Sequence, residues 1–66
     1  MFDDEPAFDR ASLRLLNALG SVGIDTVNQF LELERASLMA IPGIGPATAN
    51  EAEAIQDAIR ARRRVN

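Results

Sequence analysis

The chain has 66 residues, a net charge of −3 and 47% hydrophobic residues. This length supports one domain with one core, and the hydrophobic content is too high for a disordered tail. Because the sequence contains no cysteine and no histidine, disulfides, thiolate or histidine metal sites and histidine-based acid–base catalysis are excluded. No nucleophile–base pair is visible either, so we expect no enzymatic activity, no metal and no cofactor.

The apolar pattern bears on where the protein works. No apolar run approaches the roughly 20 residues that a membrane-spanning helix needs, and no secretory signal is present. We therefore expect a soluble, cytoplasmic protein that makes no contact with a membrane.

The beginning of the chain is acidic and has no helical period. Its carboxylates are Asp3, Asp4, Glu5 and Asp9. We interpret residues 1–8 as an acidic, flexible tip and residues 9–66 as a single domain. Either Phe2 or Phe8 could fold back onto the core.

A first helix is predicted after Asp9 or Ser12, either of which is a fair N-cap. Its predicted apolar stripe consists of Leu13, Leu15, Leu16 and Leu19. The helix should end between Gly20 and Gly23. On a helical projection the opposite, polar face carries Arg14, Asn17, Ala18 and Ser21.

Two shorter helices should follow. Thr26 with Gln29 three residues later fits a capping box, and the apolar residues of this second helix are Val27, Phe30 and Leu31. A third helix is predicted to begin after Ser37, with Leu38, Met39 and Ile41 as its apolar residues.

Residues 42–45 break the third helix and carry Gly43 and Gly45. We call residues 42–48, which include the start of the next helix, the hairpin; the part predicted to bind phosphate is residues 43–47. Pro46 then suits the first turn of a last helix. The core-facing residues predicted for that helix are Thr48, Ala52, Ile55 and Ile59. Backbone N–H groups at this helix start, together with the helix dipole, form a potential anion site. We predict an all-α fold, a compact bundle of four to five short helices.

A longer pattern extends over most of the chain. It consists of Ser12, Arg14 and Asn17, then Ile24, Thr26 and Val27, then Phe30 and Leu31, and finally Leu38, Met39, Ile41, Gly45 and Thr48. In this pattern, from Ser12 to about Ile59 without a gap, the chain resembles the C-terminal domain of the bacterial RNA polymerase alpha subunit. Its hairpin is similar to the helix-hairpin-helix motif of repair nucleases, ligases and junction-binding proteins. The resemblance implies a SAM-like helix-hairpin-helix arrangement.

The resemblance also implies roles for particular residues. Arg14 would enter the minor groove of A·T-rich double-stranded DNA, with Asn17 assisting it. The hairpin, through Gly43, Gly45, Ala47 and Thr48, would hold backbone phosphates. Glu51 would be a nearby carboxylate that orients Arg14. The partners implied are A·T-rich DNA, bound weakly, and RNA polymerase or a transcription regulator.

Two departures from the family weaken these expectations. The family has two basic residues between the hairpin glycine and the Ser/Thr, where this chain has Pro46 and Ala47. The chain also lacks the linker and assembly domain of the family and begins with Met, so it is either a freestanding protein or an excised piece.

Two other functions remain open. One is a protein–protein interaction module that mimics the polymerase domain, which the acidic balance favours. The other is a helix-hairpin-helix domain of a DNA repair protein, which would bind DNA regardless of A·T content. The arginine cluster at residues 60–64 is more typical of a helix end that complements its dipole than of a binding patch.

Overall fold

The computed structural model describes residues 5–64, so residues 1–4, including Phe2, and residues 65–66 lie outside the described part. After a short 3-10 turn at Pro6–Phe8, four helices follow: α1 at Leu13–Ser21, α2 at Val27–Leu31, α3 at Arg35–Ala40 and α4 at Pro46–Arg64. All regular secondary structure in residues 5–64 is helical, which confirms the predicted all-α class. No helix in this range is both long and apolar enough to cross a membrane.

Helix α1 has well-defined ends. Ser12 is its N-cap, and its hydroxyl oxygen accepts a hydrogen bond from the Leu15 N–H at 3.2 Å. At the other end the Ile24 N–H donates to the Leu19 carbonyl at 2.9 Å, across Gly23 with φ of +79°. This is a Schellman ending, in which glycine adopts the left-handed conformation without a Cβ penalty. The predicted boundaries of this helix are confirmed, with Ser12 rather than Asp9 as the cap.

The buried face of α1 differs from the predicted one. Leu15, Ala18 and Leu19 are buried, whereas Leu13 is 74% exposed and Leu16 is only partly buried. The prediction that Ala18 lies on the polar face is therefore wrong. The four leucines span about 160° of the helix circumference, and the i, i+3, i+4 set that includes a small alanine allows the closest packing on the core.

Helix α2 has only five residues and depends on its neighbours. The predicted capping box is present: the Thr26 hydroxyl oxygen accepts from the Gln29 N–H, and the Gln29 side chain accepts from the Thr26 N–H. At its other end, the buried Gln56 side chain of α4 donates to the carbonyls of Phe30 and Leu33, both at 2.9 Å. These bonds fasten the end of α2 to α4, and the Phe30 carbonyl also accepts from the Leu33 N–H at 3.2 Å.

Helix α3 begins earlier than predicted. It begins at Arg35 with Glu34 at the N-cap position, so the prediction that it begins after Ser37 is wrong. Serine is a preferred N-cap residue and glutamate is not, so the sequence favours a start after Ser37, and Glu34 indeed makes no side-chain cap hydrogen bond. Leu38 is fully buried on the inner face of α3, while Met39 is 40% exposed.

Helix α4 runs the length of the molecule, and the other elements pack against it. Its predicted core residues Thr48, Ala52, Ile55 and Ile59 are all buried. On the far side of the core, the rings of Phe8 and Phe30 meet edge to face with centroids 5.0 Å apart. Phe8 is buried in the core, so the packed domain begins before residue 9.

Candidate nucleic-acid interface

Helix α1 is fastened to α4 at its first turn. The Ser12 N–H donates to Glu51 Oε2 at 3.0 Å, and the Ser12 hydroxyl donates to Glu51 Oε1 at 2.7 Å. Since the same hydroxyl oxygen accepts from the Leu15 N–H, Ser12 caps α1 and binds α4 at once. We call this pair of bonds the Ser12–Glu51 latch. It determines where the start of α1 lies relative to the start of α4.

The latch identifies Ser12 as the residue that Glu51 contacts. Both carboxylate oxygens are taken by Ser12, and Glu51 makes no hydrogen bond or ion pair with Arg14 within residues 5–64. In the structure Glu51 joins α4 to the start of the helix that carries Arg14, and a role of Glu51 in orienting Arg14 stays a prediction.

Arg14 and Asn17 lie one turn apart on α1, and both are exposed. Residues three apart project from neighbouring positions on a helix surface. Neither side chain has a hydrogen-bonding or ionic partner among the residues that the structure describes. Their polar groups are thus available to a ligand.

The hairpin has the geometry of a tight turn followed directly by a helix. Ile44 N–H donates to the Ile41 carbonyl at 3.1 Å, and Gly43 between them has φ of +92°. Pro42 followed by a glycine with positive φ is typical of a type II turn. Glycine is therefore required at position 43, because an L side chain there is strained.

Several backbone N–H groups at this point are unused. Those of Gly43, Gly45, Ala47 and Thr48 find no acceptor within residues 5–64. The first bond of the helix runs from the Ala49 N–H to the Gly45 carbonyl at 2.9 Å. Gly45 is thus the N-cap, where a small residue leaves the approach to the helix start open. Unpaired N–H groups and the dipole of a 19-residue helix attract an anion here.

The side chains at the hairpin contribute less than its backbone. Thr48 is only 8% exposed and lies on the core-facing side of α4. Ala47 is exposed but has no charge. Any anion held here is therefore bound mainly by main-chain N–H groups.

The latch joins the helix that carries Arg14 to the helix that follows the hairpin. Glu51 follows Thr48 by three residues on α4, which corresponds to a rise of about 4.5 Å. Ser12 binds Glu51 and is followed two residues later by Arg14. The latch thus holds the first turn of α1, which carries the exposed Arg14, against the second turn of α4.

The arginines of the chain fall into two groups. Four donate to protein acceptors: Arg35 to Asn50 and Glu53, Arg60 to the Leu31 carbonyl, Arg62 to Glu5, and Arg63 to Asn28. Within residues 5–64, Arg10, Arg14 and Arg64 make no hydrogen bond or ion pair. Two of these three flank Ser12, so the free positive charge concentrates at the start of α1.

Sequence reasoning missed the latch and Arg10. The two latch residues are 39 positions apart, and nothing local in the sequence connects them. Arg10 stands beside Asp9 and Ser12 and resembles an ordinary surface charge. Among residues 5–64, no three Asp, Glu, His or Cys side chains approach closely enough to hold a metal ion.

Comparison with known proteins gave no relative. No family model matches the chain, and no match was found among curated proteins or solved structures.

Proposed function

We propose that this protein is a non-catalytic DNA-binding module of transcription, similar in its mode of binding to the polymerase alpha C-terminal domain. The amides of residues 43–48 hold a backbone phosphate, and Arg14 with Asn17 enters the adjacent minor groove. The observation that carries the proposal is the Ser12–Glu51 latch, because it joins the first turn of α1, where the exposed Arg14 lies, to the second turn of α4, the helix whose first amides are unpaired within residues 5–64.

The chemistry of the two features fits a minor groove that is rich in A·T pairs. Such tracts have a narrow groove with a strong negative potential, which attracts an inserted guanidinium. The phosphates that border this groove are the anions that free backbone N–H groups bind. Arg14 is unpaired within residues 5–64, so no internal salt bridge must break before it binds.

Binding should be weak. The hairpin has Pro46 and Ala47 where the family has basic residues. Each missing phosphate contact lowers the slope of log affinity against log salt by about 0.9. The net charge of −3 also opposes approach to DNA. We expect an affinity that is measurable at low salt and largely lost at physiological salt.

A fluorescence-anisotropy titration at low salt tests the proposal. The full chain is titrated against an A·T-rich and a G·C-rich duplex of equal length. We expect tighter binding to the A·T-rich duplex, and loss of that preference in Arg14→Ala. Equal binding to both duplexes by the unchanged protein would instead favour a repair-type helix-hairpin-helix module. No binding to either would reject a DNA function.

A second candidate function is docking to a protein, which the exposed Leu13 favours. This leucine is 74% exposed beside Arg14, and a phosphate backbone offers it no apolar contact. The partner implied by the resemblance is RNA polymerase or a transcription regulator. A pull-down of RNA polymerase by the full chain tests this function. Retention by the unchanged protein and loss in Leu13→Ser would support it, and retention by both would exclude Leu13 from the contact.

A further inference from the structure

The second unpaired arginine near the latch has no role in the proposed binding mode. Arg10 is exposed and stands two residues before Ser12, on the opposite side of it from Arg14. It makes no ion pair within residues 5–64, although acidic residues outnumber basic ones ten to seven in the chain. A cation left unpaired in an acidic protein is available to an external anion.

The residues around Arg10 determine how its side chain can lie on the surface. It lines a surface groove together with Ala7, Glu51, Ala54, Ile55 and Ala58. This groove is largely apolar, and it can accommodate the aliphatic stem of an arginine while the guanidinium stays in water. The Glu51 carboxylate in the same groove accepts its hydrogen bonds from Ser12 and makes no ion pair with Arg10.

We propose that Arg10 is a sequence-independent phosphate contact on the same DNA that Arg14 enters, and that it supplies part of the charge missing at Pro46 and Ala47. This inference rests on the proposed function. Arg10 and Arg14 lie two residues before and two residues after Ser12, so both exposed guanidinium groups belong to the segment that leads into and begins α1.

The test measures affinity for the A·T-rich and G·C-rich duplexes over a range of salt concentrations, with Arg10→Ala and Arg64→Ala as a matched pair. Both variants remove one exposed, unpaired arginine and change the net charge equally. Arg64 ends α4, however, about 27 Å from its first residue. We expect Arg10→Ala to lower the slope of log affinity against log salt by about 0.9 and to weaken binding about tenfold at about 50 mM salt. The loss should be equal on both duplexes, and Arg64→Ala should keep the original slope.

The outcomes separate this inference from the function beneath it. If the unchanged protein binds DNA but Arg10→Ala keeps the same slope as Arg64→Ala, the contact at Arg10 is rejected and the DNA function stands. If the unchanged protein does not bind DNA, both fail. A loss confined to the A·T-rich duplex would also overturn the inference, because a phosphate contact carries no base information. Circular dichroism of each variant confirms that the fold is retained.

Discussion

The two ends of α4 differ in how their positive charge is used. The C-terminal end carries Arg60, Arg62, Arg63 and Arg64, and three of these four donate to acceptors elsewhere in the protein. The N-terminal end has no basic residue of its own, yet its first amides are unused within residues 5–64, and the latch joins its second turn to the segment that carries Arg10 and Arg14. A cluster of charged residues in a sequence therefore does not identify a binding face. Charged side chains that have no partner within the described protein are the better indicator.

The acceptors at the C-terminal end explain what its arginines do. Arg60 donates to the Leu31 carbonyl at 2.8 Å, where α2 ends. Arg62 pairs with Glu5 and ties the beginning of the described chain to α4. These contacts fix short elements in place, and cations at a helix C-terminus also complement its dipole. The paired arginines at this end of α4 therefore stabilise the fold.

The largest expected effect comes from removing the two unpaired arginines that flank Ser12. The double variant Arg10→Ala/Arg14→Ala should lower DNA affinity about 100-fold at low salt, since a groove arginine and a phosphate arginine are both lost. The double variant Arg63→Ala/Arg64→Ala removes the same charge and should stay within about twofold. Anisotropy titration of both measures the difference. Equal losses would show that net charge alone governs binding.

Gly43→Ala should reduce the free energy of unfolding by about 1–2 kcal/mol, because a Cβ is strained in the left-handed region. The matched control is Gly20→Ala, since Gly20 lies within α1 without a positive φ and a Cβ there meets nothing within 4 Å. Urea denaturation of the two variants compares them. Equal stability would mean that the turn does not need a left-handed residue.

Ala47→Lys should strengthen DNA binding about tenfold at about 50 mM salt and steepen the salt dependence by about 0.9 log units, because it adds one phosphate contact. Ala61→Lys adds the same charge at another exposed position of α4, near its C-terminal end. Its effect on affinity should be much smaller. If Ala61→Lys strengthens binding as much as Ala47→Lys, the hairpin is not the phosphate site.

Glu51→Ala should lower the free energy of unfolding by about 1 kcal/mol, because two hydrogen bonds to Ser12 are lost at a partly exposed site. Glu32, the exposed C-cap residue of α2, provides the control. Glu32→Ala removes the same charge and should leave the free energy of unfolding nearly unchanged. Thermal or urea denaturation measures both. A neutral Glu51→Ala would mean that the latch contributes no stability.

Features governed by near neighbours were predictable from the sequence. The capping box of Thr26 and Gln29, the cap at Ser12 and the proline at the start of α4 each depend on residues within one turn. The inner face of α1 was not predictable, since leucines at 13, 15, 16 and 19 offer more than one stripe and packing decides among them. The sequence pattern links Glu51 to Arg14, whereas in the structure Glu51 accepts hydrogen bonds from Ser12, which is 39 positions away in the chain.

The most direct test of the central claim is a chemical-shift titration of the ¹⁵N-labelled full chain with an A·T-rich duplex at low salt. The account predicts that the amide signals of Arg14, Asn17 and residues 43–48, apart from the proline, move on binding, while those of residues 60–64 stay unchanged. Shifts confined to residues 60–64, or no shifts at the start of α4, would contradict it.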